Sequence, residues 1–297
     1  MIQLRQISAA DLPRVSAIFC EAFGVKDAPP IDYFANLCYT DPEGCLVGTV
    51  DGEIVGYACT HQSGSVGYMG TLAVSDSCRG MGYGKALTLA TRDHLAANCE
   101  VVGLSVEPTI GRNLELYTAC GFEPSLPACH VGKRLAESRT RAISQSIQTA
   151  QQLGANAESH IAKIGEWSAE VFPGLDMTRD LEFFVRNYPE RLWIHADDKG
   201  VNGFLAYDEN FRGDPWGMVR PGPNDLDVLT ALIEAIEAST SNEILWFQLH
   251  TNFRRALRAL RARGYRVADH KTCMVFEEQA GSWPSAPDSL LIRPWWT

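Results

Sequence analysis

The residues with the clearest chemical potential are Arg79-Gly80-Met81-Gly82-Tyr83-Gly84-Lys85. They stand between an alternating apolar run, Val66 to Val74, and a helical pattern from Ala86 to about Asn98. That order predicts a strand, a glycine loop and a helix. Backbone N–H groups at a helix start have no intrahelical partners, and the helix dipole adds partial positive charge there. Glycines let such a backbone approach an anion closely, because no Cβ intervenes. A diphosphate is the anion this loop suits best; a plain strand-to-helix turn is the alternative. The loop lacks the Gly-Lys-Ser/Thr ending of a nucleoside-triphosphate loop, and the even spacing of Gly80, Gly82 and Gly84 is not the dinucleotide fingerprint.

Downstream, Val101 to Val106 reads as a second buried strand, and Asn113 to Phe122 as a helix stopped by Gly121. With these residues the chain resembles the GNAT superfamily of acyl-CoA-dependent N-acyltransferases. The family's coenzyme-A loop, Arg/Gln-x-x-Gly-x-Gly/Ala, is matched by Arg79, Gly82 and Gly84. Its later Leu-Tyr-x-x-x-Gly-Phe is matched by Leu116, Tyr117, Gly121 and Phe122. The resemblance covers roughly the first 135 residues, with the motifs between Val66 and Phe122.

The resemblance implies acetyl-CoA as co-substrate, no metal, and direct transfer of the acyl group to an amine of a small molecule, amino acid or peptide. The diphosphate would lie on backbone N–H groups of Gly80, Met81, Gly82, Tyr83, Gly84 and Lys85, with charge added by Arg79 and Lys85. The pantetheine arm would pair with Leu72, Ala73 and Val74 as an added strand pairs with an edge. Tyr117 is the implied general acid, giving its proton to the departing thiolate. An attacking amine must first lose its own proton, so a base or a water chain to one is needed. Glu107, at the end of its strand, is a candidate for that role, as are Glu43 and His61. Many members carry Asn seven residues before the tyrosine; here Ile110 stands there, and Asn113 is a partial substitute. A second reading of the same loop is an acyl-CoA-binding regulator without turnover; the intact Tyr117 favours the enzyme.

The elements that must position these residues follow in order. Ile2 to Ile7 alternates like an edge strand, and a helix capped near Ser8 runs to about Phe23. Ile31 to Tyr39 is a short aromatic helix. Phe23, Tyr33, Phe34 and Tyr39 are either acceptor contacts, as the resemblance implies, or core aromatics. Gly44 to Val50 and Glu53 to His61 form a hairpin about Asp51-Gly52. His94 reads as a partly buried helix residue, and Cys120 as packing. A last strand, Cys129 to Leu135, completes the unit.

After Ala136 to Glu158, a linker or a weakly marked strand and helix, the order recurs with a period of roughly 145 residues. The second half reads as helix 161–172, hairpin strands 192–196 and 201–207, strand 216–219, helix 227–238, strand 244–249, helix 253–263 and closing strand 272–276. The expected fold class is therefore α/β (α+β), two tandem GNAT-like mixed-sheet domains at 1–137 and 138–297. The second is degenerate. Aligning Gly121-Phe122 with Gly264-Tyr265 puts Leu260 where Tyr117 stands. The glycine loop falls on Val219 to Asp227, where two prolines remove donors and carboxylates oppose a diphosphate. The arginines at 254, 255, 258, 261, 263 and 266 read as a helix face balanced by acidic neighbours, or as an anion clamp.

Composition narrows the classes. The chain has 297 residues, 45% hydrophobic and 21% charged, with a formal net charge of -10. No polybasic segment marks a nucleic-acid partner. No run approaches the ~20 apolar residues of a membrane span, and the first residues carry no signal-peptide core. A cytoplasmic location is the expectation. Nine scattered cysteines without Cys-x-x-Cys pairs point to buried thiols rather than zinc or disulfides. A homodimer is compatible with the sequence. The apolar tail Leu290 to Trp296 is expected to pack rather than hang in water.

Overall fold

Alternating and helical stretches become elements largely where their periods place them. The computed structural model describes residues 2–26, 31–107, 109–136, 143–207, 214–276 and 290–292. It divides into two compact units. The first comprises residues up to Ser125 together with a segment starting at Cys273, and the second starts at Leu126.

In the first unit, β1 (Gln3–Gln6) is followed by α1 (Leu12–Phe23), α2 (Ile31–Thr40), β2 (Leu46–Val50), β3 (Glu53–Ser63), β4 (Val66–Val74), α3 (Tyr83–Asn98), β5 (Val101–Val106) and α4 (Gly111–Thr118). Asp51 and Gly52, both at positive φ (50° and 86°), make the tight β2–β3 turn that the Asp-Gly pair predicts. The strands run β1-β2-β3-β4-β5, antiparallel except for the β4–β5 pair. One sheet face packs Val15, Ile18 and Phe19 of α1 and Phe34 and Leu37 of α2 against Val47, Tyr57, Cys59 and Ala73. The other packs Leu95 of α3 against Met69, Val102, Leu104 and Val106.

The second unit contains β7 (Ile147–Thr149), α5 (Ala150–Leu153), α6 (Ala157–Val171), α7 (Thr178–Asn187), β8 (Leu192–Asp197), β9 (Gly200–Ala206), β10 (Trp216–Val219), α8 (Asp225–Ser239), β11 (Ile244–His250), α9 (Arg254–Ala262) and β13 (Leu290–Ile292). Its five-stranded sheet runs β13-β10-β9-β8-β7. Of the apolar tail, residues 290–292 pack as a strand on β10, with Met218 opposite Leu291; residues 293–297 lie outside the described residues.

Two strands depart from the expected linear division at residue 137. β6 (Phe122–Arg134) starts in the first unit and passes into the second, where Val131 lies opposite Phe247 of β11. β12 (Arg266–Phe276) starts in the second unit and ends in the first. The strand at 129–135, expected to close the first half, therefore belongs to the second unit, and residues 273–276 close the first. The physical reason lies in the first unit's core. Met274 and Phe276 join the cluster of Cys120 and Phe122. Phe276 stacks at 5.9 Å on Phe122, and Arg92 lies 5.1 Å over the Phe276 ring.

Candidate acyl-transfer site in the first unit

The glycine loop is built as its composition dictates. Ser75 ends β4 with its N–H on the Val55 carbonyl (2.9 Å) and its hydroxyl donating to Glu21 of α1 (2.7 Å). A single 3-10 turn, Asp76–Cys78, leads to Arg79. Gly80 and Gly82 then take φ of 78° and 80°, which a side chain tolerates poorly. Gly82 is the N-cap of α3 and offers no side-chain acceptor to the helix. The first i→i−4 bond of that helix runs from Ala86 N–H to Gly82 (3.1 Å), so the N–H groups of Tyr83, Gly84 and Lys85 precede the ladder. A Cβ on Gly80 or Gly82 would meet nothing within 4 Å, whereas one on Gly84 would touch Val74 and Leu116. The helix thus begins three residues before the expected Ala86, and its open end has the free N–H groups that an anion could accept from. Arg79 pairs with Asp76 at 2.6 Å, a half-exposed contact that leaves its charge beside the loop.

Leu72, Ala73 and Val74 do not form an edge strand, because β4 is interior to the sheet. The edge named in the expectation is therefore absent, and the pairing of β4 with β5 is only partial. β4 and β5 pair at Val66↔Val101, Gly67↔Val102 and Tyr68↔Gly103, and the register goes no further. Beyond Tyr68 the two strands part, while Leu72, Ala73 and Val74 stay paired with Ala58, Tyr57 and Gly56 of β3. A bulge accompanies the parting. Thr60 faces Met69 and Ala58 faces Leu72, so Gly70 and Thr71 together oppose Cys59. The gap-facing side of residues 69–74 is thus open along the run that leads to the glycine loop.

Tyr117 lies on α4, whose C-terminal end is followed by Gly121 at φ 88°. Its ring is half-buried against the β5 core and edge-on to Phe122 at 6.3 Å. Burial, with Cys120 adding to it, pushes the phenol up to about 12. At neutral pH it keeps its proton. Glu107 follows β5 directly, half-buried, and its carbonyl takes the Ile110 N–H (3.1 Å) in the turn that starts α4. Glu107 precedes the turn into α4, and Asn113 and Tyr117 lie on that helix. Asn113 is half-buried, with its N–H on the Ile110 carbonyl (2.9 Å).

The other candidates scatter. His61 is buried on β3 opposite Tyr68, at the vertex of the parting strands, with Nδ1 3.2 Å from the Thr40 hydroxyl. Glu43 is exposed in the turn before β2, a strand separated from β4 by β3. Phe34 is fully buried between Phe19 and Tyr57 and is a core residue. Phe23 is 42% exposed and stacks on Phe19, and Tyr33 and Tyr39 are half-buried. Cys120 is buried, and burial raises its thiol. His94 bonds both oxygens of Asp41 (2.9 and 3.1 Å), which also accepts from Thr60 and from the Gly44 N–H. This buried knot, centred on a carboxylate that sequence reasoning passed over, ties α2 and α3 to β3.

In the second unit the corresponding helix start is closed. Asp225, the first residue of α8, is buried and accepts two bonds from Arg255 (2.7 and 2.8 Å). Leu260 is fully buried, and Gly264 takes φ 93° before Tyr265, as Gly121 does before Phe122. Arg263 bonds Glu234 and Glu237, so two of the six clustered arginines serve their own unit. Among the described residues no group of three His, Cys, Asp or Glu side chains could hold a metal, and no helix is long and apolar enough to cross a membrane.

Comparisons with known proteins bear on this geometry. The model of the Acetyltransferase (GNAT) family matches residues 12–122. An uncharacterized N-acetyltransferase of Methanocaldococcus jannaschii is 34% identical over 121 residues, 40% of this chain and 76% of that protein. Among solved structures, a Pyrococcus horikoshii protein with a provisional acetyltransferase assignment superposes with TM-score 0.70 at 14% identity, over 99% of this chain and 95% of its own. A GCN5-related N-acetyltransferase of Sphaerobacter thermophilus gives TM-score 0.62 at 18% identity, over 92% and 95%. Both are similar in fold.

Proposed function

The chain belongs to the GNAT acetyltransferase family, and on that premise we propose that its first unit transfers an acetyl group from acetyl-CoA directly to a primary amine of a small molecule, amino acid or peptide. The observation that carries the reading is the uncapped start of α3, with Gly80 and Gly82 at positive φ, at the open end of the gap between β4 and β5. The loop residues 80–85 receive the diphosphate through backbone N–H groups, and Arg79 and Lys85 add positive charge. Leu72, Ala73 and Val74 line the arm. Tyr117 donates its proton to the leaving sulfur. Glu107, directly after β5 on the far side of the gap, relays the amine's proton to solvent.

In the same reading the two units, with their exchanged closing strands, share one GNAT-like plan, and the second has lost coenzyme binding. The Asp225–Arg255 pair fills the position where a diphosphate would sit. Titration calorimetry with CoA tests both statements. One site per chain is expected, and Gly82→Asp should abolish it by adding a side chain and a negative charge at the cradle. Two sites per chain, or unchanged affinity in that variant, would sink the reading. A thiol-release assay over a panel of primary amines then separates an enzyme from a regulator that binds without turnover.

A further inference from the structure

Thr71 and Ser105 carry hydroxyls that are buried and have no hydrogen-bond partner in the structure. Leaving a buried hydroxyl unpaired is costly, so two of them beside one opening call for an explanation. Their positions supply it. Directly opposed residues of paired strands point to the same face. Cys59 packs in the α1–α2 core, and Gly70 and Thr71 oppose it across the bulge. A Cβ on Gly70 would indeed come within 3.8 Å of Leu37 on α2. On β5, Val102, Leu104 and Val106 face the opposite core, so Ser105 faces the α1–α2 side. Thr71 and Ser105 thus stand on one sheet face, on the two strands that part beyond Tyr68 and Gly103. Tyr117 packs with the core on the other face.

We infer that these two hydroxyls are the donors for the thioester carbonyl of the acyl group. The inference rests on the coenzyme reading above. A pantetheine arm entering from the loop after Val74 reaches the level of Thr71 after three residues of strand, about 10 Å. The group arriving there has one strong acceptor, the carbonyl oxygen, which becomes anionic as the amine attacks. Hydroxyl donors already fixed on the two strands stabilise that charge with little reorganisation. The sulfur, on the other side of the carbonyl carbon, then lies toward Tyr117. The two faces of the parted sheet divide the work: oxyanion on one, leaving group on the other. Neither hydroxyl has a partner within the protein, and the acyl group supplies one.

The test compares CoA, which has no carbonyl at this position, with acetyl-CoA, using Thr71→Val, Ser105→Ala and the double variant. The expected result has three parts. CoA affinity stays within about twofold of the parent. Acetyl-CoA affinity falls about fivefold per hydroxyl, the equivalent of one ordinary hydrogen bond. Melting temperature holds or rises, since an unpaired buried hydroxyl is removed. An unchanged ratio of acetyl-CoA to CoA affinity overturns the inference, including the case in which only the acceptor's KM rises. So does a drop in melting temperature of several degrees, which would make the hydroxyls structural. A parent protein that binds neither ligand would instead overturn the coenzyme reading itself.

Discussion

Tyr117 poses an acid–base problem, since a phenol near 12 is a weak acid toward a thiolate whose ordinary value is about 8.5. The same burial that raises the phenol also raises a thiolate released beside it, which narrows the gap between them. Tyr117→Phe keeps the ring against Phe122 and removes only the proton. Turnover is expected to fall roughly 10²- to 10⁴-fold, with CoA affinity unchanged and stability lowered by about 1 kcal/mol at most. Near-normal kcat with a true acceptor would return Tyr117 to the core. This residue and the loop glycines were legible in the sequence, because their spacing reports a local backbone requirement. Thr71, Ser105 and Asp41 were not: nothing local marks a hydroxyl that lacks a partner, or a carboxylate whose partners lie 19 and 53 positions away.

Among the elements, β4 shows what periodicity leaves unsaid. Val66 to Val74 reads as one regular strand and is one, yet the bulge at Gly70-Thr71 depends on register with β3, which a single strand does not encode. Helix α7 was also missed; it is short, ten residues, and framed by Pro173-Gly174 and Pro189, so turn signals hid it. β11 carries a pH prediction. His250 is 1% exposed, and burial lowers its imidazole to about 3 from 6.5. The unfolded chain therefore binds a proton near pH 6.5 that the folded chain refuses until about pH 3. Its contribution to stability is complete above pH 6.5 and is lost as pH falls, at up to ~1.4 kcal/mol per unit. Thermal melts of the parent should weaken between pH 6 and 4, and His250→Gln should flatten that limb. Parallel curves for the two proteins would contradict the assignment.

For the molecule as a whole, the crossing of β6 and β12 decides what an independent piece is. A fragment of residues 1–137 carries every residue proposed for catalysis but lacks Met274 and Phe276, two members of the core against which Tyr117 packs. It is expected to show no cooperative melting transition and no CoA binding. Co-expression with residues 138–297 should restore both; a fragment that melts cooperatively and binds CoA alone would refute this. In the intact chain, Phe276→Ala should cost about 3 kcal/mol through the cavity left over Phe122 and Gly121, readable in denaturant midpoints, and should lower kcat more than it changes CoA affinity. The order of elements was legible because their hydrophobic periods and turn signals are local. The exchange was not, because residues 129–135 and 272–276 both read as closing strands, and only long-range packing decides which unit each one closes.

The late arrival of residues 273–276 also sets a clock on synthesis. The chain's N-terminal 125 residues leave the ribosome with their β-sheet face unfinished around Phe122. About 150 further residues must follow before Phe276 is made, which at ~5–20 residues per second takes roughly 8–30 s. Throughout that interval a nascent chain displays apolar surface that its own sequence covers only once residues 273–276 arrive. A protein assembled in this order is expected to gain from chaperones that hold nascent chains, and a message truncated before residue 273 should leave the first unit's core without Met274 and Phe276.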